Sequence, residues 1–268
     1  MNTVHPSAHI GTRVLLGDGN TIGPNCIIED GAVLGSRNTL WANVYVGPGT
    51  ILGDENQIHM GAVVGHVPQD MAFSGEPSGT RIGSRNTIRE YVTIHRGTKP
   101  GSFTEVGDDN FLMANAHIAH NCRVGSKTIF ANCATLAGHC EVHDGAFLSG
   151  LVVVHQFVRI GTLAIVSGLS AVSKDVPPYM LCAGRLAVVH GLNVVGLRRA
   201  GFSPTVREDI KRAYRHLYRE GLSVSTAIER IKQDGLTPQL TELVSFIERS
   251  KRGICSGSKS EEIPAAPA

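Results

Sequence analysis

Apolar residues recur along this chain at every sixth position. From Val4, steps of six reach Ile10, Leu16, Ile22, Ile28, Leu34, Leu40, Val46, Leu52, Ile58 and Val64. The series fails at Asp70 and Glu76, resumes in phase at Ile82, Ile88 and Ile94, and fails again at Pro100. It then runs without a gap from Val106 to Val172. Neither the 3.6-residue period of a helix nor strict alternation generates a repeat of six. The pattern predicts a mainly β fold, a parallel β-helix whose coil has three short sides of six residues. Each aliphatic side chain points into the prism, and residues 18 apart stack at ~4.8 Å. Glycine often follows the aliphatic residue (Gly11, Gly17, Gly23, Gly35, Gly47) and is expected to permit the turns between sides. Asn20, Asn38, Asn56 and Asn110 fall on one phase of the 18-residue period. Cys122 and Cys140 form a vertical pair, read as small inward fillers rather than a bridge.

Because phase is kept across both interruptions, residues 66–79 and 96–105 read as loops that leave the prism in whole hexads. Loops on a rigid scaffold are where binding groups tend to sit. The repeat stops at Pro177-Pro178, and the periodicity then becomes helical. Ser203-Pro204 and Thr237-Pro238 read as helix starts, each with a cap residue followed by proline at the first helical position. The domains expected are a β-helix over 1–196, a helical domain over 197–252 and a disordered tail over 253–268.

Composition narrows the function classes. Of 268 residues 31 are glycine, only 18% are charged, and the formal net charge is +2, too small to imply a nucleic-acid partner. No apolar stretch is long enough for a membrane span, and MNTVHPSAHIG does not read as a signal peptide. Six cysteines without a CxxC pair fit a reduced, cytoplasmic setting. Charge is unevenly placed: residues 197–252 carry an excess of Lys and Arg, and the remainder a slight acidic excess.

Histidine carries the candidate chemistry. His117, His120, His139, His143 and His155 crowd the late coils. The 18-residue period puts His120, Gly138 and Gln156 in one column, with His139 and His155 flanking it. Two chemistries fit: an imidazole acting as general base on a hydroxyl or amine, or a zinc site. No nucleophile elbow, P-loop or dinucleotide fingerprint is present.

The segments VHPSAHIG, QDMAFSGEP, IREYVTIHRGT, MANAHIAHNCRVG, ATLAGH, VVHQFVRIG, DVPPYM and GLNVVGLRRAGFS, in this order and with the helical tail, resemble the UDP-N-acetylglucosamine O-acyltransferases of lipid A biosynthesis. The resemblance extends to about residue 252. It implies a left-handed β-helix, an exception to the usual right-handed crossover, assembled as a cytoplasmic homotrimer with sites between subunits. It implies transfer of a 3-hydroxyacyl group from acyl carrier protein, borne on phosphopantetheine, to the glucosamine 3-position of a UDP-sugar, with no further cofactor and no metal. Residue by residue, it assigns His120 as general base, Gly138 as oxyanion donor through its N–H, and Asn121 beside the base. His117, His139, His155 and Gln156 match the sugar and pantetheine site, Gln69 and Asp70 the acceptor loop, and Asn193 and Arg199 the nucleotide end. Gly168 matches a position along the acyl groove. The basic face of Arg207, Lys211, Arg212, Arg215 and Arg219 suits an acidic carrier.

The chain departs from that family pattern at Asn121 (usually aspartate), Ala72 (lysine), Leu186 (histidine), Val195 (glutamate) and Ala200 (arginine). These changes remove polar contacts. Three other readings stay open. One is the same transfer to a 3-amino UDP-sugar. Another is a non-catalytic module that binds a sugar nucleotide or carrier protein. The third is a zinc lyase of the carbonic-anhydrase kind, using His117, His120 and His139 or His155.

Overall fold

The computed structural model describes residues 1–258 and is a left-handed parallel β-helix closed at its C-terminal end by helices. Three sheets of 11, 9 and 8 strands, parallel except for the last pair of the first and most only two residues long, form the sides of the prism among the described residues. Pairing follows the expected register of 18, as in Thr21 with Thr39 and Val153 with Ala171. The aliphatic of each hexad is inside: Ile28, Ile58, Ile94, Leu112, Phe130 and Leu148 have no solvent exposure. Cys26, Ala32, Ala62, Cys122, Ala134 and Cys140 fill the corners between them. All six cysteines are free thiols.

The two excursions lengthen their coils by different amounts. Gln57 pairs with Thr87, 30 residues on, and Thr87 with Phe111, 24 residues on. The loops therefore add 12 and 6 residues, which together restore the phase. Asn110 consequently lies two coils from Asn56, not three, and Asn86 stands between them. Asn56 accepts from the Asn86 N–H at 2.9 Å, and Asn86 from the Asn110 N–H at 2.9 Å.

Apart from Gly65 (φ 78°), the glycines that follow the aliphatics do not supply the turns. The left-handed backbone lies three residues beyond most of the aliphatics and is held mostly by other residues, including Asn25, Asn43, Asn121, Tyr91 and Phe157, all with φ between 57° and 66°. Each such residue costs roughly 1–2 kcal/mol, an expense tolerated where the ladders on both sides over-determine the backbone. Gly35 is needed for space instead. A Cβ there would lie 2.8 Å from the Gly53 carbonyl oxygen of the next coil.

The last coil ends in an antiparallel pair, Met180–Ala183 with Val188–Leu192. Among the described residues four helices follow: α1 Val194–Arg199, α2 Pro204–Tyr218, α3 Val224–Gln233 and α4 Pro238–Glu248. The first begins at Val194, inside the range assigned from sequence to the β-helix, because Asn193 caps it by accepting from the Gly196 N–H. Ser203 and Thr237 cap α2 and α4 as their Ser-Pro and Thr-Pro starts indicate. Glu242 of α4 docks the helices on the prism, accepting from the Tyr179 hydroxyl at 2.5 Å and from Thr162 Oγ1. The tail expected to be disordered from 253 is ordered at its start. Ile254 bridges Asp175, Gly257 bridges Val189, and Cys255 is buried, because backbone groups left open at the end of the stack find partners there. The rest of that tail, 259–268, lies outside the described residues.

Candidate functional site

His120 occupies the corner where one prism face turns into the next. The register His117 with Thr135 and Thr135 with Val153 stacks His120, Gly138 and Gln156 on successive coils. The stack is tied by the His139 N–H donating to the His120 carbonyl and the Phe157 N–H to that of Gly138. Gly138 directly underlies the imidazole. A Cβ at that position would lie 2.4 Å from His120 Cε1 and 2.6 Å from Nε2, so the ring lies where any side chain would stand. The Gly138 N–H has no backbone acceptor among the described residues and remains available as a donor.

The imidazole is 7% exposed and held on one side. Its Nδ1 is 3.0 Å from Asn121 Oδ1. On its other side, the 66–79 loop folds back over the corner and brings Asp70 Oδ2 to 3.9 Å from Nε2. Asp70 itself is steadied by accepting from the Ala72 N–H, while Gln69 and Ala72 beside it are exposed. At 3.9 Å the carboxylate is beyond hydrogen-bond reach of Nε2, which leaves that nitrogen open to a hydroxyl approaching from the side. His139 meets His120 edge-on, centroids 5.2 Å apart, and stacks on Phe157 at 4.8 Å. Burial, then the neighbouring His120, holds its pKa below the usual imidazole range. A cavity of about 470 Å³ opens beside this corner and includes Asn121, His139, Phe157, Ser102 and Arg123 in its wall.

His117 lies one strand before the corner, with Nδ1 2.6 Å from Thr93 Oγ1, and its pKa is lowered by burial and then by His120. It leads to a residue that the sequence reading left out. His95 is 5% exposed, sits edge-on to His117 at 5.0 Å, and is pushed down to about 4, chiefly by burial. Its Nδ1 has no hydrogen-bond partner. A neutral, buried imidazole here extends the polar seam from His120 toward His66. Thr98, three residues later in the same HRGT segment, was also missed. Its N–H and hydroxyl both donate to Asn121 Oδ1. The segment was visible as part of the resemblance, but no spacing rule connects residue 98 to residue 121.

Within one chain the other expected residues stand apart. His155 is exposed, with Nδ1 turned to the Gln156 carbonyl at 3.1 Å. Gly168 is exposed on a different corner, between the first and second sheets. Asn193 uses its side chain on the α1 cap and on the Leu163 carbonyl, and Arg199 is exposed at the end of that helix. None of the contacts these residues make reaches His120. On α2, Arg212 pairs with Asp209 and Asp234 and Lys211 with Glu208, which partly neutralises the basic face, while Arg219, just past its end, donates to the Tyr214 hydroxyl. The imidazoles considered for zinc do not converge: among the described residues no group of three or more His, Cys, Asp or Glu is arranged to hold a metal ion. Nor is any helix long and apolar enough to cross a membrane.

Comparison with known proteins assigns this arrangement to a family. Residues 175–255 match the second domain of UDP-N-acetylglucosamine O-acyltransferases, and residues 103–138 the bacterial transferase hexapeptide repeat. A relative in Burkholderia orbicola, named acyl-[acyl-carrier-protein]--UDP-N-acetylglucosamine O-acyltransferase, is 47% identical over 200 residues, 72% of this chain and 76% of its own. One of the same name in Alkalilimnicola ehrlichii is 46% identical over 195 residues, with the same shares. The solved UDP-N-acetylglucosamine acyltransferase of Francisella novicida superposes with a TM-score of 0.92 at 36% identity, over 96% of this chain and 95% of that one. The enzyme from Bacteroides fragilis gives 0.92 at 38% identity, over 94% and 99%. With a 47% identical relative aligned over nearly three quarters of its length and the same fold throughout, this chain belongs to the UDP-N-acetylglucosamine O-acyltransferase family.

Proposed function

We propose that this protein transfers a 3-hydroxyacyl group from the phosphopantetheine thioester of acyl carrier protein to the glucosamine 3-hydroxyl of UDP-N-acetylglucosamine, an early step of lipid A biosynthesis. The observation that carries the reading is the His120 corner, where one ring nitrogen is held by Asn121 and the other, 3.9 Å from the Asp70 carboxylate, makes no hydrogen bond among the described residues. His120 Nε2 takes the proton of the acceptor hydroxyl as its oxygen attacks the thioester carbonyl. The Gly138 N–H donates to the oxyanion that forms. Collapse breaks the carbon–sulfur bond, and the imidazolium returns the proton to the leaving thiolate. The acyl group passes directly to the acceptor, so no acyl-enzyme is formed.

Gly168, Asn193 and Arg199 make no contact with His120 in the single chain, which supports a site shared between neighbouring copies of a homotrimer. In that assembly the Arg199 guanidinium serves the nucleotide diphosphate, while His117, His139, His155, Gln156, Gln69 and Asp70 line the sugar and pantetheine path. His120→Ala is expected to lower kcat/KM by about 10²–10⁴-fold in an assay with 3-hydroxyacyl carrier protein while leaving the circular dichroism unchanged. Full activity in that variant would remove His120 as the base. Refolding mixed His120→Ala and Arg199→Ala chains tests the shared site: activity returns only if one chain supplies each residue.

A further inference from the structure

The structure assigns Thr98 as the residue that sets the tautomer of His120, acting through Asn121. This rests on the general-base reading given above. Where a carboxylate stands beside a catalytic imidazole, either oxygen accepts the Nδ1–H and no orientation need be chosen. A carboxamide has two faces: its oxygen only accepts and its NH₂ only donates. Turned one way, Asn121 holds Nδ1–H and leaves Nε2 with a lone pair facing Asp70 and the acceptor. Turned the other way, it donates to Nδ1 and places the proton on Nε2, where the ring cannot act as base.

Thr98 decides between these. Its backbone N–H lies 3.1 Å from the Asn121 atom that faces His120, and its Oγ1 lies 2.8 Å from the same atom. A backbone N–H can only donate, so that atom is the oxygen. His120 Nδ1, 3.0 Å from it, must therefore carry a proton. Asn121 is held at this corner independently, by φ of +59° and by its own N–H donating to Thr104 Oγ1 at 2.8 Å. Thr98 thus positions the amide and leaves its location untouched. The excursion at 96–105 is what brings residue 98 beside residue 121.

The test reads the tautomer directly. In the wild-type protein, nitrogen chemical shifts of His120 are expected to show a protonated Nδ1 and an unprotonated Nε2 at alkaline pH. Thr98→Val, which removes one of the two donors, is expected to introduce a population with Nε2–H and to lower kcat/KM about five- to tenfold, the value of one hydrogen bond. In the Asn121→Asp background the same Thr98→Val change is expected to cost less than about twofold, because a carboxylate needs no orienting. Asn121→Asp also places a negative charge beside the imidazole, so the acid limb of kcat/KM moves to higher pH. A proton on Nε2 in the wild type would overturn the assignment, as would an equal loss from Thr98→Val in both backgrounds. The tautomer readout does not depend on whether His120 is the base, which the His120→Ala assay decides separately.

Discussion

Two corners of the prism are built from the same eighteen-residue coil and use their polar side chains in opposite ways. At the corner of Asn20, Asn38, Asn56, Asn86 and Asn110, every side-chain oxygen accepts the backbone N–H of the next coil at 2.8–2.9 Å. These residues are essentially unexposed. Asn56 is fully occupied, since its Nδ2 donates to Asn38 Oδ1 and to the Gly83 carbonyl. At the His120 corner only one nitrogen of the ring is tied, and the N–H of Gly138 is left open. A buried polar ladder with nearly every group paired, Asn110 Nδ2 being the exception, stiffens the fold. A corner with one group held and the next free is equipped to take a substrate. Stacking alone does not distinguish structure from function; what distinguishes them is which hydrogen-bonding groups remain unmade.

Three substitutions sharpen that contrast. The largest effect is expected from Gly138→Ala, whose methyl would lie 2.4 Å from the His120 ring and must displace it. Misplacing a reacting group by about 1 Å costs on the order of 10²-fold in kcat, whereas the melting temperature should shift little. Equal losses of stability and activity would make Gly138 a packing residue only. Asn56→Ala is expected to show the opposite profile. It leaves the Asn86 N–H and the Asn38 oxygen short of partners in the core, destabilising by about 2–4 kcal/mol in denaturant titration while kcat/KM of the folded protein stays the same.

The smallest effect belongs to the helical domain. Both His216 nitrogens meet carboxylates, Nδ1 with Glu220 at 3.0 Å and Nε2 with Asp234 at 2.9 Å. Burial opposes the charge on His216, but these partners outweigh it and raise its pKa, while the imidazolium lowers those of Glu220 and Asp234. A raised imidazole stabilises the fold most below its unfolded value of ~6.5 and loses that contribution as pH climbs through the folded value. The depressed carboxylates contribute above ~4 and lose it on acidification. The stability difference between wild type and His216→Asn should therefore peak near pH 5–6 and shrink on both sides. A difference that is flat from pH 5 to 9 would show that the network is electrostatically idle.

Much of the corner was legible because a short repeat converts sequence distance into vertical distance. The column of His120, Gly138 and Gln156 follows from adding 18, and no contact had to be guessed. The same arithmetic failed at Asn110, because two excursions of different length sum to one full turn and hide Asn86. It failed also for glycine, whose role in close approach between coils cannot be separated from a turn role by composition. Thr98 and His95 lay in a segment whose resemblance was plain, yet their partners are chosen by how the second loop returns to the prism.

The six-residue period thus determined the prism and its core, since burying one aliphatic per side is a local demand repeated along the chain, and the helical spacing with its Ser-Pro and Thr-Pro starts determined the cap. Tertiary structure alone decided what the loops do: Asp70 reaches across to His120, Thr98 turns the Asn121 amide, and residues 254–257 pair at the open end of the stack. Those contacts depend on where a non-repeating segment comes to rest, which is set by backbone closure and by the unpaired groups it meets, and no periodicity encodes either.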